Sequence, residues 1–119
     1  MKVSELQGTL LDYWVARAEG YPLSCDWNQG EYILIGTGAG DLEQFSPSSE
    51  WDDGGPIIDR TPYGIFERFE GCWAAGIYRP QSGMRDLCVS YQLGDTILIA
   101  AMRAYVASKF GDEVPDDDE

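Results

Sequence analysis

The spacing of apolar residues changes twice along the chain, and this pattern constrains the fold more than any other feature of the sequence. Near the N-terminus apolar residues recur every three to four positions, as on one face of a helix. Between residues 32 and 93 a period of two, typical of strands, takes over, and residues 97–110 return to the helical spacing. This order predicts an α+β protein with a small antiparallel β-sheet of about three to five strands, packed by an N-terminal and a C-terminal helix.

Two helices are predicted, one near each end of the chain. The first covers Ser4–Glu19, begins with the S-x-x-Q pattern of a capping box, and stops at Gly20. The second covers Ile97–Phe110 and stops at Gly111. We expect both helices to pack on one face of the sheet through their apolar stripes. The stripe residues expected to be largely buried are Leu10, Trp14, Leu98, Met102 and Tyr105.

Short apolar runs between the helices are the predicted strands. The clearest runs are Tyr32–Ile35, Cys72–Tyr78 and Leu87–Leu93, and the weaker ones are Ile57–Ile58 and Tyr63–Phe69. The segment Pro80–Met84 contains a glycine and is predicted to form a hairpin loop. Because 119 residues are enough for one hydrophobic core, we expect a single domain over residues 1–111.

The charge of the chain excludes several functions. The chain contains 21 Asp and Glu residues, 8 Lys and Arg residues and no His, so its formal net charge is −13. Such a chain repels phosphate groups, and we therefore expect no direct nucleic-acid binding. The absence of His removes the most frequent general base and the most frequent metal ligand. We predict no catalytic residue, no metal site and no cofactor, and an enzyme that works without His stays open as an alternative.

Cysteines and apolar runs indicate the compartment. Cys25, Cys72 and Cys88 form no C-x-x-C pair, and their odd number is typical of reduced thiols rather than of a disulfide framework. Residues 1–20 lack the apolar centre of a signal peptide. The longest apolar run, Ile97–Met102, is far too short to span a bilayer. We expect a cytoplasmic protein that makes no membrane contact.

The acidic residues are concentrated in two parts of the sequence. Residues 18–59 contain nine acids and neither Lys nor Arg. Residues 112–119 contain six more acids, so residues 1–111 alone carry a formal charge of −7. The terminal block repels itself and is expected to bury nothing, and we predict that it is disordered after Val114. The first part predicts an acidic surface that suits a basic partner.

The candidate binding residues lie in the second half of the acidic interval. Residues 45–56 are rich in Ser, Pro, Asp and Gly, which is typical of an ordered irregular loop. Two large aromatic residues in such a loop need burial, either in their own domain or against a partner, and both interpretations stay open. The predicted partner surface consists of Phe45, Glu50, Trp51, Asp52, Asp53 and Asp59.

Three segments of the chain resemble the bacteriophage NinX family. They are Lys2–Gly20, Phe45–Asp59 and Leu98–Val114, which follow one another in the order of the family and at compatible spacing. The resemblance implies a protein of tailed phages or prophages. It implies no catalytic or cofactor residue, because none is established for the family. It adds nothing to the strands predicted between residues 64 and 93.

Two kinds of binding function follow for a phage accessory protein with these residues. In the first, the acidic surface binds the basic surface of a host or phage protein, and a DNA-binding host factor inhibited by a mimic of DNA is one form of it. In the second, the segment 45–56 binds a small molecule or a peptide. Salt distinguishes the two, because it weakens the first kind of binding steeply and the second kind hardly at all.

Overall fold

The computed structural model describes residues 1–21, 33–36, 42–61, 63–81 and 84–115. Its helices are a short 3₁₀ helix (Val3–Glu5), α1 (Gly8–Glu19), α2 (Trp51–Arg60) and α3 (Ile97–Phe110). Its strands are β1 (Ile33–Gly36), β2 (Leu42–Phe45), β3 (Tyr63–Phe69), β4 (Cys72–Gln81) and β5 (Met84–Gly94). The predicted α+β class is therefore confirmed. Tyr32 of the first predicted strand and residues 82–83 of the predicted hairpin loop lie outside the described residues.

The described strands form two antiparallel sheets rather than one. Strands β1 and β2 pair with Ile33 opposite Phe45, whereas β3, β4 and β5 form a three-stranded sheet with β4 at its centre. Gln81 at the end of β4 pairs with Met84 at the start of β5. The hairpin predicted at residues 80–84 is therefore confirmed, and its strands reach further into that segment than expected.

Helix α3 covers one face of the three-stranded sheet. Its N-cap is Thr96, whose hydroxyl oxygen accepts a hydrogen bond from a backbone N–H of the first turn at 3.1 Å. The Ser90 hydroxyl on β5 donates to the Ala104 carbonyl at 2.7 Å. The Tyr63 hydroxyl on β3 donates to the Ala101 carbonyl. These bonds to the helix backbone fix the side of the sheet that faces α3.

Helix α1 packs mainly against α3 and β1. Residues 11–16 are all buried, so the middle of α1 is enclosed on every side and not along one stripe. The Trp14 ring meets Phe110 of α3 edge to face, with ring centroids 5.4 Å apart. The predicted stripe residues that are buried are Trp14, Leu98, Met102 and Tyr105, whereas Leu10 is half-buried. Packing directly on the three-stranded sheet is thus the role of α3.

The first helix begins at Gly8 and not at the predicted Ser4. Val3–Glu5 forms a single 3₁₀ turn, after which the backbone is extended at Leu6. Leu6 is completely buried, and its carbonyl accepts a hydrogen bond from Arg103 Nε on α3 at 2.8 Å. The predicted capping box is therefore wrong, because this contact with α3 takes Leu6 out of the helix.

The segment predicted to be an irregular loop contains a helix. Helix α2 occupies Trp51–Arg60, so the loop predicted at residues 45–56 is confirmed for residues 46–50 and wrong for residues 51–56, and the strand predicted at Ile57–Ile58 is wrong. The Glu50 carbonyl accepts hydrogen bonds from two N–H groups of the first turn, at 3.1 Å and 2.9 Å. Pro56 removes one hydrogen bond from the helix interior. The burial of Ile57 against the rest of the protein offsets that loss.

Gly54 is a packing residue of α2. A Cβ at this position would lie 2.5 Å from the Pro47 carbonyl oxygen and 2.7 Å from Leu98 Cδ2. A residue with a side chain would therefore push α2 away from the preceding turn and from α3. Gly54, which in the sequence is typical of a loop, thus allows α2 and α3 to approach each other closely.

The start of the acidic C-terminal block is part of the fold. Val114 is buried, so the prediction that this block buries nothing is wrong for this residue. The N-terminal ammonium group donates to the Val114 carbonyl at 2.8 Å, and the Val3 N–H donates to the Asp112 carbonyl at 2.8 Å. The two ends of the chain therefore pair, and residues 116–119 lie outside the described residues.

Candidate functional site

The six residues of the predicted partner surface lie at the end of β2 and along α2. The exposed ones, here called the α2 surface, are Glu50, Trp51, Asp52 and Asp59. Asp53 is half-buried. Phe45 is only 5% exposed and meets the Tyr21 ring edge to face at 5.3 Å. The structure therefore brings four of the six residues together on one surface and places Phe45 in the core.

Trp51 is the most exposed large apolar side chain among the described residues. It is 55% exposed and forms the first position of α2. One helical turn later, a Cβ at Gly55 would lie 3.8 Å from Trp51 Cε3, so the indole lies along the outside of the helix. Of the two interpretations left open for the aromatic residues, burial in their own domain is confirmed for Phe45 and wrong for Trp51.

Three carboxylates accompany Trp51 on the α2 surface. Glu50 precedes it and Asp52 follows it. Asp59 lies about two helical turns after Asp52, on the same side of the helix as Asp52. In the described part of the chain none of the three pairs with Lys or Arg. Acidic residues in the first turn also stabilise α2, because the N-terminus of a helix carries partial positive charge. The α2 surface thus combines an exposed indole with uncompensated negative charge.

A turn formed by residues 46–49 positions the start of α2. From the side of α2, Asp53 Oδ2 accepts a hydrogen bond from the Ser46 N–H at 2.8 Å. From the side of α1, Asp12 Oδ1 accepts one from the Ser48 N–H at 2.9 Å. Asp53 therefore holds the turn, a structural role that its place in the predicted partner surface does not indicate.

Asp12 is an ionisable residue that is buried in the core. It is 4% exposed, and burial raises the pKa of its carboxyl from 3.8 to about 6, against the opposing effect of hydrogen bonds from Ser48. The negative charge of Asp53 adds to the rise. Sequence reasoning missed Asp12. Its position between Leu11 and Tyr13, within an apolar stripe, is a signal that would have indicated a buried carboxyl group.

A cleft of about 180 Å³ lies between α2 and the β1–β2 sheet. Its apolar lining includes Ile35, Phe45 and Ile57. Its charged lining residues are Glu19, Glu43, Asp52, Asp53 and Arg60. Among the described lining residues, four carboxylates face one guanidinium, so this part of the cleft is negative. Through Asp52 it continues the α2 surface.

The Arg60 guanidinium, which lines this cleft, forms a salt bridge within the protein. Arg60 Nη2 donates to Glu19 Oε1, and the Tyr105 hydroxyl donates to Glu19 Oε2. The Glu19 side chain is 8% exposed and that of Arg60 is 51% exposed. Burial, together with the bond to Glu19, raises the pKa of Tyr105 to about 12, so the phenol stays a neutral donor at neutral pH. Sequence reasoning missed this group, because no local pattern joins its members.

Metal-ion clusters, membrane-spanning helices and the size of the cleft can each be checked among the described residues. Among them, no cluster of three or more His, Cys, Asp or Glu is placed to hold a metal ion. Within the same residues, no helix is long and apolar enough to cross a membrane. The cleft, at about 180 Å³, is smaller than the roughly 300–1,000 Å³ of typical small-molecule sites.

Comparison with known protein families gives a match over most of the chain. No curated protein matches the chain. The family described as Bacteriophage P22, NinX matches residues 2–109, a range that includes α1, the α2 surface and almost all of α3. The resemblance noted for three segments of the sequence is therefore confirmed over most of the chain. The chain belongs to the bacteriophage P22 NinX family and, with it, to the accessory proteins of phages.

Proposed function

We propose that this phage protein is a non-catalytic binding module whose α2 surface binds a basic surface of a host or phage protein. The observation that carries the proposal is the 55% exposure of Trp51 among three carboxylates. An indole in contact with water gains hydrophobic stabilisation when a partner covers it. Tryptophan is also among the residues most enriched in binding hot spots.

The charge around Trp51 supports a basic partner. Glu50, Asp52 and Asp59 have no cationic partner among the described residues, and Glu43 adds a further exposed carboxylate in the neighbouring cleft. Such a surface attracts Lys and Arg over long distances and thereby speeds association. Because carboxylates along a helix present negative charge as phosphates do, we infer a DNA-binding host factor as the partner class.

A second candidate function is the binding of a small molecule or a peptide in the cleft beside α2. The observation that favours it is the combination of apolar lining by Ile35, Phe45 and Ile57 with carboxylates. Against it, about 180 Å³ leaves room for one side chain rather than for a whole metabolite. A side chain of the basic partner is the occupant that satisfies both the volume and the charge.

Capture of partners by the full chain tests the proposal. The biotinylated protein is incubated with a lysate of phage-infected bacteria, and each captured protein is then measured by calorimetry with purified variants. Trp51→Ala should weaken binding at least about thirtyfold, because hot-spot residues contribute about 2 kcal/mol or more. Phe69→Ala is the matched control, since Phe69 is an aromatic residue that is 45% exposed on β3.

The proposal fails if Trp51→Ala and Phe69→Ala bind the captured protein as tightly as the unmodified chain does. It also fails if binding is unchanged between low and high salt, because contact with a basic surface must weaken as ions screen the charges. That second result would favour the small-molecule or peptide function of the cleft.

A further inference from the structure

The helix that carries Trp51 provides no side chain to cover its indole. A side chain on a helix is covered mainly by the residues three and four positions later, whose side chains lean back towards the N-terminus. For Trp51 these residues are Gly54 and Gly55. A Cβ at Gly55 would lie 3.8 Å from Trp51 Cε3, and the indole is 55% exposed. Much of the ring therefore stays in contact with water.

The other two tryptophans in the described part of the chain each have an arginine over the ring. Arg17, three residues after Trp14 on α1, places its Cζ 5.1 Å from the Trp14 ring centroid. Arg68 on β3 is opposite Trp73 on β4, and its Cζ lies 5.3 Å from the Trp73 ring centroid. These are the distances of cation–π contacts, in which the negative face of the ring attracts the guanidinium. Within the described residues Trp51 has no such cation, and the corresponding position of α2 is a glycine.

The surroundings of Trp51 are complementary to a cation that another molecule supplies. Its chain neighbours Glu50 and Asp52 are both exposed, and neither pairs with Lys or Arg among the described residues. An aromatic face attracts a cation through its quadrupole, and a carboxylate attracts it through charge and hydrogen bonds. At Trp14 and Trp73 the chain provides both the ring and the cation. At Trp51 it provides the ring and the carboxylates.

We propose that Trp51 and its neighbouring carboxylates bind an arginine side chain of the partner, whose guanidinium stacks on the indole. The inference rests on the proposed function of the α2 surface and specifies the side chain that this surface recognises. A guanidinium is planar and weakly hydrated, so it lies flat on a ring while its N–H groups donate to a carboxylate. Lysine also contacts rings, as Lys109 does over Tyr105 at 5.6 Å, but its ammonium is compact and strongly hydrated. A water-exposed indole therefore favours arginine over lysine.

An arginine is also the side chain to expect on a partner that binds DNA. Its fork of donors binds phosphate groups and the edge of guanine in two parallel hydrogen bonds. When the same guanidinium is stacked on Trp51, it is no longer available to DNA. The arginine site and the proposed class of partner are therefore consistent with each other.

Two short peptides that differ at one position test the proposal on the full chain. They are acetyl-Lys-Lys-Arg-Lys-Lys-amide and its all-lysine counterpart, which carry the same charge. Titration at low salt, followed by the amide and indole N–H signals of the protein, gives both dissociation constants. We expect the arginine peptide to bind about two- to fivefold more tightly, as one cation–π contact at an exposed site allows. The δ-methylene protons of its arginine should move upfield, because they lie over the indole ring.

Substitutions separate stacking from charge. Trp51→Leu keeps an apolar side chain and every carboxylate, and it should bind the two peptides equally. Gly55→Leu keeps the same charges and places a side chain over the indole from the next turn, so it should reduce the preference for arginine. The matched control is Phe69→Leu, which removes a ring that is 45% exposed on β3 and should retain the full preference.

Equal affinity of the two peptides for the unmodified chain would overturn the arginine site and leave the proposed function standing, because both peptides then bind through charge. A preference that survives Trp51→Leu or is lost with Phe69→Leu would also overturn it. So would signal shifts confined to Ile35 and Ile57, because they would place the arginine in the cleft. Binding of neither peptide at low salt would overturn the arginine site and the proposed function together.

Discussion

The substitution Asp12→Asn removes a buried charge from the junction between α1 and the turn that precedes α2. Burial raises the pKa of Asp12 from 3.8 to about 6. A rise of about two units means that the ionised carboxylate destabilises the folded state by about 3 kcal/mol. The folded protein binds this proton more tightly than the unfolded chain does. The stabilisation by the protonated group is therefore complete below about pH 4 and is lost as the pH rises through about 6.

Urea unfolding of both proteins between about pH 4 and pH 8 measures this effect. The free energy of unfolding of Asp12→Asn, minus that of the unmodified chain, should increase by about 2.5 kcal/mol over this range. Other carboxylates titrate in both proteins and cancel in the difference. The cost of placing the amide is the same at every pH. The control is Asp52→Asn, which removes an exposed carboxylate from the first turn of α2 and should not reproduce the increase expected for Asp12→Asn.

A difference that is constant with pH would refute the reasoning, because it would show that burial does not penalise the charge of Asp12. A difference of opposite sign would refute it as well. In that case the hydrogen bonds from Ser48 would outweigh the loss of hydration, and the ionised carboxylate would stabilise the junction.

Further substitutions test the packing around α2 and the chain ends by chemical denaturation. Gly54→Ala should destabilise the protein by about 1–3 kcal/mol, because its Cβ would meet the Pro47 carbonyl oxygen, which belongs to the backbone. The control is Gly55→Ala, whose added Cβ has room and which should stabilise α2 by about 0.5–1 kcal/mol. Equal effects of the two substitutions would contradict the close approach of α2 to Pro47 at Gly54. Val114→Ala should cost about 2 kcal/mol, and no loss would mean that the residue is not part of the core. Trp51→Ala should change the free energy of unfolding by less than about 0.5 kcal/mol, and a larger loss would give the indole a structural role.

The elements that the sequence predicts well have local signals. The helix Ile97–Phe110 is confirmed with its predicted ends, because Thr96 caps it and Gly111 stops it within a few residues of the apolar stripe. The strand Tyr63–Phe69 is confirmed with its predicted bounds, since its aromatic and apolar residues suit a strand. In such segments, propensity and tertiary packing agree.

Helix α2 was not predictable, because its local signals oppose its structure. Gly54, Gly55 and Pro56 are typical of a loop. The helix forms nevertheless, because Gly54 allows it to approach Pro47 and because Ile57 is buried. Tertiary contacts here override propensity, which is a weak determinant over ten residues.

The candidate site could be predicted in its composition but not in its contacts. The acidic interval and Trp51 are visible in the sequence, and the structure places Trp51 on the surface. The bond between Asp12 and Ser48 joins residues 36 positions apart. No spacing rule reveals such a pair, so the groups that position α2 emerge only from the fold.

The central proposal is that charge on the α2 surface guides a basic partner to Trp51. The most direct measurement is the association rate constant of the captured partner with the double variant Asp52→Asn/Asp59→Asn. Its control is Glu5→Gln/Glu70→Gln, which removes the same charge from exposed residues elsewhere. We expect the first variant to slow association severalfold at low salt, the control to match the unmodified chain, and the difference to vanish at high salt. Equal association rates of the two double variants at low salt would contradict the proposal.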